Sequence, residues 1–169
     1  MTNRVDPPNA AEERPMLVAW LEYHRATLAL KCDGLPDEQL RSRAVPPSTL
    51  SLLGLVRHMA DVERTWFRRS LLGEVAAPHY WSDESPDGEF DDVDQADVAA
   101  DLATWHAECD AARAIVEATP SLDELERREG RSGGPVSLRW ILIHMIEEYA
   151  RHNGHADLLR EQLDGAVGE

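Results

Sequence analysis

The sequence predicts an all-α protein, a four-helix bundle, on three observations. Apolar residues recur at helical spacing in four stretches of roughly twenty residues each. Breakers separate those stretches: Asp33 with Gly34, Pro46 with Pro47, Gly73, Thr119 with Pro120, and the run Gly133, Gly134, Pro135. No stretch alternates apolar and polar residues with the period of two that a half-buried strand requires. At 169 residues, 43% of them hydrophobic, the chain suffices for one domain with a real core and would be cramped as two.

Residues 1–10 are polar and carry Pro7 and Pro8, which predicts a disordered tail ahead of a single domain over 11–165. Helix one is expected over about 12–32, with Met16, Leu17, Trp20, Tyr23, Leu28 and Leu30 at near-helical spacing. Residues 35–40 read as a single helical turn with Pro36 early in it. Helix two should begin at Thr49 or Ser51 and run to Leu72, with Leu52, Leu55, Met59, Val62 and Trp66 inward. Residues 73–94 form a long acidic loop between helices two and three, and loops of that length often carry function or motion. Within it, His79, Tyr80 and Trp81 either cap a pocket or, more ordinarily, pin the loop to the surface. Helix three follows over about 94–118, with Val98, Leu102, Trp105, Cys109, Ile115 and Val116 inward. A charged connector over 123–131 leads to helix four, for which Ser137 is the candidate N-cap.

Helix four carries the chemistry. It holds His144, Glu147, Glu148, His152 and His155 in a short span. With Glu148 at zero and about 100° per residue, Ile141 and Leu159 fall near +20°, His152 near +40° and Met145 near +60°. An acid and an imidazole one turn apart therefore sit inside the apolar stripe, where a charge is costly unless paired or bound to metal. Helix two offers His58, one turn after Gly54, whose missing side chain leaves room beside it. The two helices also echo each other: each begins Ser-Leu and places His-Met seven residues after the serine, at His58 and at His144. His58, Glu148 and His152 are the candidate metal ligands, and two nitrogens with one carboxylate leave a coordination position open, as in catalytic zinc sites. Nickel, manganese or iron would accept the same donors. A core histidine satisfied by hydrogen bonds is the ordinary reading of any one of them, and His144 is a rival ligand. His155 and Glu63 are candidates for supporting positions around the ligands; for Glu63 the plainer reading is a buried ion pair with Arg139 or Arg160.

Composition excludes several classes. A net charge of −15, with no cluster of Lys and Arg, argues against nucleic acid and anionic lipid. The N-terminus shows no apolar signal region and no run approaches membrane-spanning length, so a cytoplasmic protein is expected. Cys32 and Cys109 both lie within helical patterns and read as small buried hydrophobes.

Leu55 through Glu63, together with Met145 through Glu161, resembles the DinB-like superfamily of four-helix metalloproteins, and within it the branch that includes mycothiol S-transferases. The resemblance spans about 14–163. It implies an up-down-down-up bundle with a divalent metal, most simply zinc, at one end of the core. One ligand histidine on helix two matches His58. Two ligands four residues apart on helix four, followed by a polar-Gly-polar run, match Glu148 and His152 before Asn153, Gly154 and His155. Many relatives have histidine at the first of these; glutamate there is similar to the mycothiol-dependent maleylpyruvate isomerases, which carry an additional domain. The implied activity is transfer of a low-molecular-weight thiol such as mycothiol to a small electrophile in detoxification, with a homodimer possible. Rival readings are a metal-dependent hydrolase on the same site and a non-enzymatic, metal-stabilised stress or interaction module.

Overall fold

A computed structural model describes residues 4–129 and 132–168. Residues 1–3 of the expected tail and 130–131 of the expected connector lie outside the described residues. Among the described residues the protein is all-helical, with no strand. The helices are α1 (Glu13–Cys32), α2 (Asp37–Arg41), α3 (Leu52–Glu63), α4 (Gly88–Asp91), α5 (Val98–Ala118) and α6 (Leu138–Asp164). None is long and apolar enough to cross a membrane.

Side chains set where α3, α5 and α6 begin. Ser51 accepts from Gly54 N over 3.0 Å, Asp97 from Ala100 N over 3.1 Å and Ser137 from Trp140 N over 3.3 Å, each satisfying a backbone donor that the first turn leaves open. The two Ser-Leu starts are therefore both real caps. Helix α5 starts later than the expected position near Asp94, because Asp97 supplies the cap.

The expected second helix changes character halfway. The α-helical turns stop at Glu63, and Arg64–Leu71 continues with the wider π spacing, closing with Leu72 N donating to Phe67 O over 3.3 Å. The widening brings Phe67 and Leu71 fully into the core, while Val62 and Trp66, expected inward, are only half-buried.

Helix α1 packs along α6 and α3 along α5, and contacts between α3 and α6 join the two pairs. The shared core includes Leu28, Leu55, Met59, Phe67, Trp105, Ile141, Met145 and Tyr149. Burying each such side chain is worth roughly 1.5–3 kcal/mol. One polar chain crosses that core. Arg25 donates to both oxygens of Glu63 over 2.8 and 2.6 Å, Tyr149 Oη donates to Glu63 Oε1 over 2.8 Å, and Trp105 Nε1 donates to Tyr149 Oη over 2.9 Å. The partner of Glu63 is thus Arg25, not Arg139 or Arg160. Arg139 pairs with Glu13 and Asp123 at the surface, and Arg160 pairs with Asp164.

The connections are tied down by named groups. Asp61 accepts from the backbone of His79 over 2.6 Å and of Tyr80 over 3.0 Å, and Arg43 reaches Asp94 and the carbonyls of Phe90 and Asp91. Between α5 and α6 the chain doubles back through an antiparallel bridge between Leu125 and Ser137. Residues 4–10 of the expected tail take no regular structure, nor do 11 and 12 before α1, and the Arg4 guanidinium lies over the Tyr23 ring.

Candidate metal centre

Three of the expected residues meet. His58 from α3 and Glu148 and His152 from α6 bring one donor atom each within 4.8 Å of one another, and all three are partly exposed, so a small molecule can reach them. The His58 and His152 rings approach to 4.7 Å between centroids at 63°. His152 Nε2 lies 3.4 Å from Glu148 Oε2. Two ligand atoms at ordinary zinc distances in a tetrahedral shell are separated by about the same 3.4 Å. The donor set, its spacing and its access fit a divalent ion.

Each imidazole of the cluster has a partner at Nδ1. His58 Nδ1 lies 3.4 Å from Glu89 Oε1, and His152 Nδ1 lies 3.3 Å from His155 Nδ1. An imidazole whose Nδ1 carries the proton keeps its lone pair on Nε2, the arrangement that a metal-binding histidine needs. Burial, and then the nearby His152 ring, lower the pKa of His58, which favours the neutral form. Burial likewise lowers that of His155. The hydrogen bond with His152 leads the effects that hold the Glu148 carboxyl below its usual range. A carboxyl held below its usual range beside the His58 nitrogens is a donor set that suits a cation.

His144 stands on the other side of Glu148. Its Nε2 is 3.3 Å from Glu148 Oε1, while its ring is flanked by Trp66 and Trp140 at centroid distances of 4.6 and 4.9 Å. It groups with Glu147 and Glu148, not with His58 and His152. Glu63, expected as a possible neighbour of the ligands, faces Arg25 and Tyr149 instead.

The aromatic stretch of the long loop does not supply the site's surroundings either. His79 Nε2 sits 2.8 Å from Glu108, Tyr80 lies under the Arg57 guanidinium, and Trp81 lies near Arg69. The loop reaches the site later, at α4, where Phe90 stacks on His58 at 5.3 Å beside Glu89. Sequence reasoning missed both residues. Glu89 is one acid among many in that stretch, and no periodic pattern marks it.

A separate cavity of about 510 Å³ opens between α1 and α5, lined in part by Val18, Leu21, Arg25, Arg113 and Leu142. Three arginines line it: Arg25 pairs with Glu63, Arg113 pairs with Glu22, and Arg14 donates to the carbonyls of Val116 and Thr119.

No curated protein is similar enough to the chain to match it. The family profile described as mycothiol-S-transferase matches residues 16–165, which takes in α1 from its first turn onward, α2 through α6 and all three clustered donors, and the chain belongs to that family.

Proposed function

We propose that this protein is a metal-dependent S-transferase that joins a low-molecular-weight thiol, mycothiol in the first instance, to small electrophiles in cytoplasmic detoxification. The observation that carries this reading is the convergence of His58, Glu148 and His152 within 4.8 Å in a chain of the mycothiol-S-transferase family. These three would hold a divalent ion, zinc first, with nickel, manganese or iron compatible with the same donors. When bound, the ion supplies the positive charge that favours thiolate over thiol.

The chain's own residues do the rest. His58 and His152 present nitrogen donors, with His155 set against the Nδ1 edge of His152. Glu148 contributes one negative charge and is aligned by His152 on one oxygen and His144 on the other. The nucleophile comes from outside the protein. Burial pushes the Cys32 thiol up to about 12 and raises Cys109 as well, so neither offers a thiolate near neutral pH. The S–H bond of the external thiol breaks and its proton passes to water, the sulfur forms a bond to the electrophilic carbon, and the bond from that carbon to its leaving group breaks, the leaving group departing with the electron pair.

The same proposal includes an up-down-down-up four-helix arrangement of one domain over 11–165. Pairing of α1 with α6 and of α3 with α5 supports it, as does the length of the 72–97 crossing. Sedimentation at micromolar concentration checks for the homodimer expected with it. The activity test is conjugation of a fluorogenic electrophile by metal-loaded protein with and without mycothiol. Turnover should require the thiol and vanish in His58→Ala and Glu148→Ala. Turnover that ignores the thiol would point to hydrolysis, and turnover that survives both substitutions would sink the site.

A further inference from the structure

One buried carboxylate beside this site has no role in the reading above. Glu89 is 8% exposed, and among the described residues its ion-pair partner is His58. Its Oε1 faces His58 Nδ1 at 3.4 Å, while its Oε2 is buried with no hydrogen-bond partner among the described residues. Burying a carboxylate without a cation is unfavourable, so this placement needs a reason.

Two glycines seat it. A Cβ on Gly54 would lie 3.1 Å from Phe90 Cδ1 and 3.5 Å from the Glu89 carbonyl, so the bare backbone of α3 is what lets α4 lie against it. A Cβ on Gly88 would come within 2.4 Å of the Tyr80 carbonyl, so the tight entry into α4 also excludes a side chain. Between them, the His58 ring is held on one face by Phe90 and at Nδ1 by Glu89, with His152 at its edge.

We propose that Glu89 is a positioning residue for the metal centre. It accepts a hydrogen bond from His58 Nδ1, fixes the tautomer that leaves Nε2 unprotonated, and turns that nitrogen toward Glu148 and His152. Carboxylates in this relation to ligand histidines orient the ring and raise its basicity. Segment 72–97 then belongs to the metal centre through α4. This inference rests on the reading that His58, Glu148 and His152 hold a metal.

The test uses the full chain and two readouts. Competition of Zn²⁺ against a chromophoric chelator should show affinity falling about 10- to 100-fold in Glu89→Ala. Glu89→Gln, whose side-chain carbonyl still accepts, should restore most of it. In metal-free protein, long-range proton–nitrogen NMR should find His58 protonated at Nδ1 in the wild type and in Glu89→Gln, and shifted toward Nε2 protonation in Glu89→Ala. If Glu89→Ala does not fold, Glu89→Met, which fills similar space without an acceptor, takes its place with the same expectation. An unchanged His58 tautomer overturns the proposal. So does a loss of affinity in Glu89→Gln as complete as in Glu89→Ala, which would make Glu89 a ligand. If the wild type takes up no Zn²⁺, the metal reading falls by itself and the tautomer result still decides the role of Glu89.

Discussion

Two carboxylates stand inside the apolar stripes of facing helices, Glu63 at the end of α3 and Glu148 in the middle of α6, and the protein treats them in opposite ways. Glu63 is 1% exposed and closed off: a guanidinium grips both oxygens and a tyrosine hydroxyl adds a third donor. Glu148 is partly exposed, and its close polar neighbours are the imidazoles of His144 and His152, with His58 beyond them. The first arrangement cancels its own charge and has nothing left to offer a ligand. The second keeps a negative charge, open on one side, among donors that suit a cation. An acid in an apolar stripe is therefore not by itself a functional signal; what separates the two cases is whether arginine or histidine answers it.

The largest expected effect tests the closed side of this contrast. Glu63→Ala leaves two nitrogens of the buried Arg25 guanidinium unanswered, with Glu22 holding only the third, and losing one partner of a buried pair typically costs about 3–5 kcal/mol. Urea unfolding of the metal-free protein should show that loss, while Zn²⁺ affinity of the folded fraction stays within a few-fold of wild type. A matching collapse of affinity would mean that the two carboxylates are not independent.

Next in size is the open side. Removing a donor by His58→Ala, Glu148→Ala or His152→Ala should weaken Zn²⁺ binding at least 100-fold, about 2.7 kcal/mol, by calorimetric or competition titration. The metal-free variants should unfold close to wild type, because these side chains are only partly buried. Chelation of the wild type should lower its melting temperature, since a ligand present at about 100 times its Kd stabilises by about 2.7 kcal/mol. A chelator-insensitive melting temperature would remove the cation from the comparison.

Periodicity revealed one half of this contrast better than the other. The placement of Glu148 and His152 in one stripe, and of His58 on a helix with a matching start, follows from spacing, and the fold then brings the three together. The partner of Glu63 does not follow from spacing. Arg25 sits on α1 outside the apolar spacing of Trp20, Tyr23 and Leu28, and only the packing of α1 against its neighbours buries it. The π-helical turns after Glu63 escape notice for a related reason. A fixed 3.6-residue period assigns Trp66 inward, whereas the wider turn assigns Phe67. Glu89 depends on a four-residue helix too short to have a period at all.

Tyr149 makes a finer cut, because it adjoins Glu148 in sequence yet serves the other carboxylate. Its hydroxyl donates to Glu63 and accepts from Trp105. Tyr149→Phe leaves the Trp105 N–H buried without a partner, which costs about 1–3 kcal/mol. The expected result is a moderate loss of stability in urea with unchanged Zn²⁺ affinity. A change in affinity would show that the backbone of α6 transmits strain from one carboxylate to the next.

The smallest effect is a slope in acid. In the metal-free protein the hydrogen bond with His152, reinforced by the charge of His144, holds the Glu148 carboxyl below its usual value of about 4.5. A carboxyl depressed in the folded state binds fewer protons there than in the unfolded chain across the interval between its two values. Its stabilisation is therefore fully present above about 4.5 and is lost as the pH falls through the lower, folded value. Glu148→Gln removes the titrating group, so the acid limb of stability against pH, measured by urea unfolding with chelator present, should flatten below 4.5. The solvent exposure of this carboxylate keeps the difference small. An acid limb identical to wild type would mean that the imidazoles do not hold the Glu148 charge, and the open carboxylate would then lose the feature that sets it apart from Glu63.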